Sequence, residues 1–430
     1  MGKSEVAQIR PKSIGTSIPR REDPGLLTGR TPYIADIVLP DMLHVAILRS
    51  PIAHGRISRI DIADALAMPG VRLIWTGQDT AGRCPGVASG LEHKGFVPTI
   101  QPILAHDEIC FIGEAIAVVV ARTRAEAEDA LEKIEVDIDD LLVVVDAASA
   151  LDGTPLANGA IPANMVYHSH RVTDEVADAF ADAAVVVEGR FQTPRVNASP
   201  METRGFVARH EWTTGALTCW SATQMPSFIK SMIAIFLQYP ENNVEVITPQ
   251  VGGGFGQKAH LHPEELLVCL LAIETGVPVS WIEDRQENLF RAPQAKQQIN
   301  EMALAVDADG RFLAMKDRVI TDGGAYNSLP WTHLVEGHAG ILVVTDPYRI
   351  AALSAETLSV ATNKCPIGAY RGVGFSAPIL ARETLIDRAA RRLGLSPFEI
   401  RRRNVIRAED FPYTTRTGMV IREGTFLETI

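Results

Sequence analysis

Aromatic residues are scarce, at 6% of the 430-residue chain. Long apolar runs are absent too: Ala115–Ala121 and Leu266–Ile273 are the longest uncharged ones, well short of the roughly 20 residues a membrane-spanning helix needs. No membrane span is expected. Met1-Gly-Lys-Ser-Glu5 meets charge at once and lacks the apolar core of a signal peptide, so a cytoplasmic location is expected. The five cysteines are odd in number and form no C-x-x-C pair, which argues against zinc ribbons and iron–sulfur clusters in this chain and for reduced thiols. His168 with His170 and His260 with His262 stand two apart, but without a nearby third ligand or an H-E-x-x-H helix they read as surface or packing histidines. Positive charge is in deficit, 41 Lys and Arg against 52 Asp and Glu, so a nucleic-acid-binding stripe is not expected. What remains is an ordinary globular composition at a length that suggests two or three domains.

Residues 1–24 carry Pro11, Pro19 and Pro24 and the cluster Arg20-Arg-Glu-Asp23 without a sustained period, the pattern of an extended arm. Residues 25–150 read as strand, turn and helix, clearest at the end. There Ala115–Ala121 predicts a buried strand, Thr123 and Glu126 a capping box, and Ile134, Val136 and Ile138 a strand with one wet face, together a compact β-α-β unit. Residues 151–166 are turn chemistry and read as a linker. From 167 to 430 a second α+β unit is expected. A strand at Val244–Ile247 precedes a helix that opens at Pro263 and stops at Gly276, Ser376 is expected to cap another helix, and Ser396-Pro-Phe-Glu399 reads as a further capping box.

Val251-Gly-Gly-Gly-Phe-Gly-Gln-Lys258 stands out, because adjacent glycines let backbone N–H groups approach an anionic or oxo ligand closely. A phosphate loop would need Gly at 257 and a hydroxyl at 259, where Gln257 and Ala259 stand, and a dinucleotide fingerprint also fails at 257. A side chain at Gly254 is expected to fail on both space and backbone angles. Gly368-Ala-Tyr-Arg-Gly-Val-Gly374 is a second glycine-flanked turn; Arg371 there offers its backbone to a ligand with its guanidinium tied elsewhere, or simply makes a structural turn. Gln224 offers an amide that can donate and accept near a bound oxo group, or is a plain loop residue.

In order, the chain carries Pro19-Arg-Arg-Glu-Asp23, Leu26-Leu-Thr-Gly29, Met42-Leu-His44, Arg49-Ser-Pro51, Gly113-Glu114, Pro200-Met-Glu202 with Arg204, Thr223-Gln224, Gly252-Gly-Gly-Phe-Gly256, Trp281 to Arg285, Gly324-Ala-Tyr326 and Ala369-Tyr-Arg-Gly372. With these it resembles the molybdenum-cofactor-binding large subunit of the xanthine dehydrogenase, aldehyde oxidase and carbon monoxide dehydrogenase family, over nearly its whole length. The resemblance implies an α+β fold: an α/β hammerhead domain at 25–150, then the first molybdenum-cofactor-binding domain at 167–430. It implies a molybdenum–molybdopterin cofactor, the cytosine dinucleotide form among the options, held by its pterin and not by protein side chains as metal ligands. Gln224, Gly253, Gly254, Phe255, Gly256, Arg371 and Gly372 are the implied cofactor contacts, with Gln224 the catalytic one. The implied reaction is oxidative hydroxylation of an activated C–H carbon with water, electrons leaving through iron–sulfur and FAD partner subunits.

The chain ends at Ile430, where similar proteins enter a second cofactor domain. The resemblance therefore places the general-base glutamate on a partner chain, a second cofactor half, unless the chain is a truncated piece. Ala259 stands where xanthine-type enzymes have a substrate glutamate, Ala339 where they have an arginine, and Gly372 where carbon monoxide dehydrogenases have a copper-binding cysteine. Val373 replaces an aromatic clamp, and Phe375-Ser-Ala-Pro378 departs from the usual loop ending. Purine and carbon monoxide are thereby disfavoured. N-heteroaromatics and aldehydes remain, with Ala259, Val373 and Phe375 as pocket candidates. The alternatives are a non-catalytic scaffolding half and, more remotely, a phosphate-ligand-binding protein.

Overall fold

The computed structural model describes residues 15–430. Of the proposed arm, residues 1–14 lie outside the described residues; 15–22 are all exposed and form nothing more regular than turns, and a short helix follows at Asp23–Leu27.

The first half contributes strands β1 (Leu43–Arg49), β2 (Gly55–Asp61), β3 (Val71–Thr76) and β4 (Ala115–Ala121), helix α1 (Arg124–Leu131) and β5 (Glu135–Asp140). The Thr123 capping box closes in both directions, Thr123 accepting from the Glu126 amide and Glu126 from the Thr123 amide. The compact unit expected around it is split, however. All of β4 is buried, whereas β5 alternates and pairs with β2 in a separate three-stranded sheet. A strand apolar on both faces needs cover on both, and a half-wet one does not.

The second half supplies β6 (Met165–Val172), β7 (Val185–Thr193), β8 (Gly205–Glu211), β9 (Ala216–Ser221), α2 (Pro226–Phe236), β10 (Val244–Ile247), α3 (Pro263–Thr275), β11 (Val279–Ile282), α4 (Arg285–Arg291), β12 (Gln298–Val306), β13 (Phe312–Asp322), α5 (His333–Leu342), β14 (Ala352–Val360), α6 (Ser376–Leu393) and α7 (Pro397–Asn404). Two sheets organise the molecule. One has seven strands in the order β10-β9-β8-β11-β1-β4-β3, and the other five in the order β7-β12-β13-β14-β6. The seven-stranded sheet crosses the boundary between the halves through one short parallel pairing, Leu43 with Val279 and His44 with Ser280. Helix α3 packs on that sheet. Its run Leu266–Ala272 is buried on every side, so it belongs to the core and not to a surface stripe. Pro263 opens it, and Gly276 closes it at φ 68°, a left-handed angle that favours glycine.

Three local expectations need correction. The stretch 151–166, read as a linker, is partly packed: Ala157, Ile161 and Asn164 are buried, and the Asn164 amide replaces regular partners by bonding Ala157 N and Pro155 O at 2.8 Å each. Ser376 is the first residue of α6 and not its cap, because the turn from Gly372 to Phe375 already runs into the helix. Ser396 does cap α7 through the Glu399 amide at 3.1 Å, but the Glu399 carboxylate pairs with Arg403 at 2.8 Å and leaves the box half closed.

Candidate functional site

Between β10 and α3 the chain makes the glycine loop. Gly253 and Gly256 have φ of 95° and 107°, and Phe255, between them and without a glycine's freedom, sits at 55°. A non-glycine residue at such an angle costs about 1–2 kcal/mol and persists only where its surroundings hold it. Here they do. Glu202 Oε2 accepts from Gly252 N at 2.8 Å and from the buried Lys258 Nζ at 2.7 Å, clamping both ends of the loop. Gln224 N donates to Lys258 O at 3.0 Å, and Gln224 Oε1 accepts from Gly256 N at 2.9 Å.

The Arg371 turn lies directly against this loop. Arg371 N donates to Phe255 O at 2.8 Å, and Ala369 N donates to His260 Nε2 at 2.9 Å. A Cβ on Gly256 would fall 2.6 Å from Ala369 O, so glycine there permits the close approach. Burial, reinforced by Arg204, pushes His260 down to about 3, so its ring is neutral and Nε2 can accept.

Together the turns leave a set of donors unused. Among the described residues, the N–H groups of Gly253, Gly254, Phe255, Gly372 and Val373 find no acceptor, and neither does Gln224 Nε2. Gln224, Phe255, Arg371 and Gly372 are exposed. Backbone N–H groups without protein acceptors and an amide NH₂ suit a ligand rich in oxygen acceptors.

Beneath lies a buried charged node. Glu264, in the first turn of α3, faces Arg49 at 3.1 Å, Arg204 at 3.4 Å and Arg291 at 3.4 Å; Arg49 also pairs with Glu287 at 2.7 Å, and Arg204 with Glu283 at 2.9 Å. The three guanidiniums hold Glu264 well below the usual carboxylate range despite its burial.

Most residues singled out in the sequence therefore meet. Gln224, Gly253 to Gly256, Arg371 and Gly372 form one surface. Val373 follows them half-buried, Phe375 is exposed at the helix start, and Ala339 lies against Gly374. Ala259 is buried with its carbonyl on Trp331 Nε1 at 3.0 Å. Two expectations fail. The Arg371 guanidinium is not tied elsewhere: it has no ion pair among the described residues. Gly254 does not need a left-handed angle; a Cβ there would instead fall on the end of the Gln224 side chain, so a larger residue fits only if that amide moves off Gly256 N. Sequence reasoning missed Lys258, Lys296 and Glu336 and gave Glu202 no role, although Glu202 stands in a quoted motif. His260 and His262 are buried packing residues, and His168 and His170 pair with Glu356 and Ser354.

Fold and site define a class: a mixed α+β chain in which two glycine turns, 252–258 and 368–374, pack against each other. Residues 28–141 match the aldehyde oxidase and xanthine dehydrogenase a/b hammerhead domain, and residues 158–405, more than half the chain, match the molybdopterin cofactor-binding domain. The chain belongs to the molybdenum-cofactor-binding large subunits of the xanthine dehydrogenase, aldehyde oxidase and carbon monoxide dehydrogenase family, subunits of molybdenum hydroxylases and dehydrogenases. It is similar to the crystal structure of quinoline 2-oxidoreductase from Pseudomonas putida 86, at 60% identity and a TM-score of 0.96 over 98% of this chain and 53% of that one. It is 43% identical to the nicotine 6-hydroxylase large subunit of Paenarthrobacter nicotinovorans over 97% of this chain and 51% of that protein. The chain thus spans about half the length of the first curated relatives it matches. Against the nicotinate dehydrogenase large molybdopterin subunit of Eubacterium barkeri, at 27% identity, it covers 90% of the relative. No described helix is long and apolar enough to cross a membrane.

Proposed function

We propose that this chain forms one wall of the molybdenum-cofactor site of a hydroxylase acting on an N-heteroaromatic substrate, with water as the oxygen source. The observation that carries this reading is the pair of touching turns whose donors at 253–255, 372–373 and Gln224 Nε2 lack protein acceptors. Those residues fit the group. Bound there, a molybdenum–pterin cofactor supplies the centre that accepts two electrons from the substrate carbon.

This chain's residues do the rest by orientation. Gln224 is held through its carbonyl by Gly256 N, which leaves its NH₂ free and would let it donate to the group when bound. The free N–H groups of both turns stabilise negative charge that develops during turnover, and because the turns are clamped beforehand they need little reorganisation. Ala259, Val373 and Phe375 are apolar at the positions where the resemblance expects substrate contacts, which suits a neutral aromatic ring. The relatives named for quinoline and nicotine support this choice over aldehydes. The residues from 25 to 150 act as the hammerhead unit and those from 167 to 430 as the first cofactor unit. The general-base glutamate comes from the complementary cofactor half, and iron–sulfur and FAD subunits complete a cytoplasmic complex. Five buried free thiols suit that reducing compartment.

The test is purification of the assembled complex from its native cells. Molybdenum and pterin nucleotide are quantified, and N-heteroaromatics and aldehydes are assayed with an artificial electron acceptor in isotopically labelled water. Labelled hydroxylated heteroaromatic product with stoichiometric molybdenum is expected. A complex free of molybdenum, or one that oxidises only aldehydes, would overturn the reading.

A further inference from the structure

Lys296 sits in the turn before β12 with φ at 74°, a second non-glycine residue in the left-handed region near the site. Its neighbours hold it on every side. Thr193 Oγ1 donates to its carbonyl, and its own N–H donates to Glu336 Oε1 at 3.2 Å. Its Nζ reaches across to the Arg371 turn and donates to Arg371 O at 2.9 Å and Gly372 O at 2.6 Å. Glu336, buried on α5, accepts from Gly374 N at 3.0 Å through its other oxygen. The turn is therefore gripped from below at three points by a connected pair, and the Gly372 and Val373 N–H groups are the ones left without acceptors.

A lysine with only a surface role would be solvated or paired with a carboxylate. This one bonds two carbonyls of the very turn that carries the candidate donors. We infer that Lys296 and Glu336 are positioning residues, a latch that sets the 371–374 turn in the conformation the cofactor site requires. The inference rests on the reading of the site given above.

A consequence for pH follows. Burial pushes Glu336 up to about 7, against the pull of Lys296 from the neighbouring turn, Arg195 from the segment before β8, and the N–H groups of Lys296 and Gly374, all of which favour the carboxylate. Above about 7 the carboxylate accepts both N–H groups at full strength. Below it the protonated carboxyl accepts more weakly, so the grip on Gly374 loosens as pH falls.

The test uses the assembled complex and amide hydrogen exchange in the segment 369–375 between pH 6 and 8, corrected for intrinsic exchange, beside molybdenum content, kcat and KM. In the unmodified complex, protection of Gly374 is expected to fall as pH drops, and Glu336→Gln is expected to abolish that trend. Lys296→Met should raise exchange across the turn and lower kcat/KM by about ten- to a hundredfold, the scale of a small misplacement in a site, with Lys296→Arg recovering part of the loss. An unmodified complex without the pH trend overturns the latch even if the variants fail to fold, and so does unchanged exchange in both variants. A loosened turn with unchanged kcat and KM overturns the positioning role. An unmodified complex that lacks molybdenum overturns the underlying reading of the site instead, and the exchange data still report on the latch.

Discussion

The charged node around Glu264, in the first turn of α3, and the pair of glycine turns that precede α3 and α6 treat polar groups in opposite ways. In the node, three arginines from distant parts of the chain turn their guanidiniums onto buried carboxylates of the protein itself. In the turns, five backbone N–H groups and one amide have no protein acceptor among the described residues. In the node the charges pair with one another inside the protein, whereas the donors of the turns have no protein partner among the described residues. The node joins Arg49 of the first half to Glu264 of the second, beside the two-residue pairing by which one sheet crosses between them.

The harshest way to break this contrast is to empty the node. Glu264→Ala leaves Arg49, Arg204 and Arg291 facing one another with one carboxylate fewer, and removing a partner from a buried ionic cluster typically costs about 3–5 kcal/mol. Denaturant unfolding should show that loss, and a change below about 1 kcal/mol would mean that the node does not bear the joint. Next in size, Gly254→Val strikes the turns alone. Its side chain would displace Gln224 from Gly256 N. Molybdenum content should collapse while the thermal midpoint stays near that of the unmodified protein, and normal metal content would show that the loop is not where the cofactor lies.

The same contrast separates what could be read in the sequence from what could not. The turns are written in residue type, since adjacent glycines announce close backbone approach wherever they fold, and the strand before them and Pro263 and Gly276 at the ends of α3 are local signals. The node has no such signature. Its arginines stand at 49, 204 and 291, and nothing in one sequence pairs a guanidinium with a carboxylate 215 positions away. Lys296 was hidden for another reason: its acceptors are carbonyls, which every residue carries. The angle expected of Gly254 belonged in fact to Gly253, Phe255 and Gly256, a distinction that depends on how the turn closes against Ala369.

A finer probe tests the donors themselves. Gln224→Ala removes the oriented amide but leaves the clamp of Glu202 on Gly252 and Lys258 in place. Turnover should fall by roughly one to three orders of magnitude, the range for losing one preorganised donor, with folding and metal content retained. Unchanged turnover in fully loaded complex would remove Gln224 from the site.

The smallest effect is expected at the most conspicuous charge. In the node an arginine matters through its guanidinium; in the turn Arg371 contributes its backbone, with N–H on Phe255 O and carbonyl on Lys296 Nζ, while its side chain reaches into solvent. Arg371→Ala keeps every one of those backbone contacts. It should therefore shift unfolding free energy by no more than about 0.5 kcal/mol, as surface substitutions usually do, and leave molybdenum content intact. The same truncation at Arg204 removes a partner from both Glu264 and Glu283 and should behave like the loss of Glu264. If Arg371→Ala instead empties the site, the side chain grips the ligand directly, and the division between a node that works through side chains and turns that work through backbone would have to be redrawn at that residue.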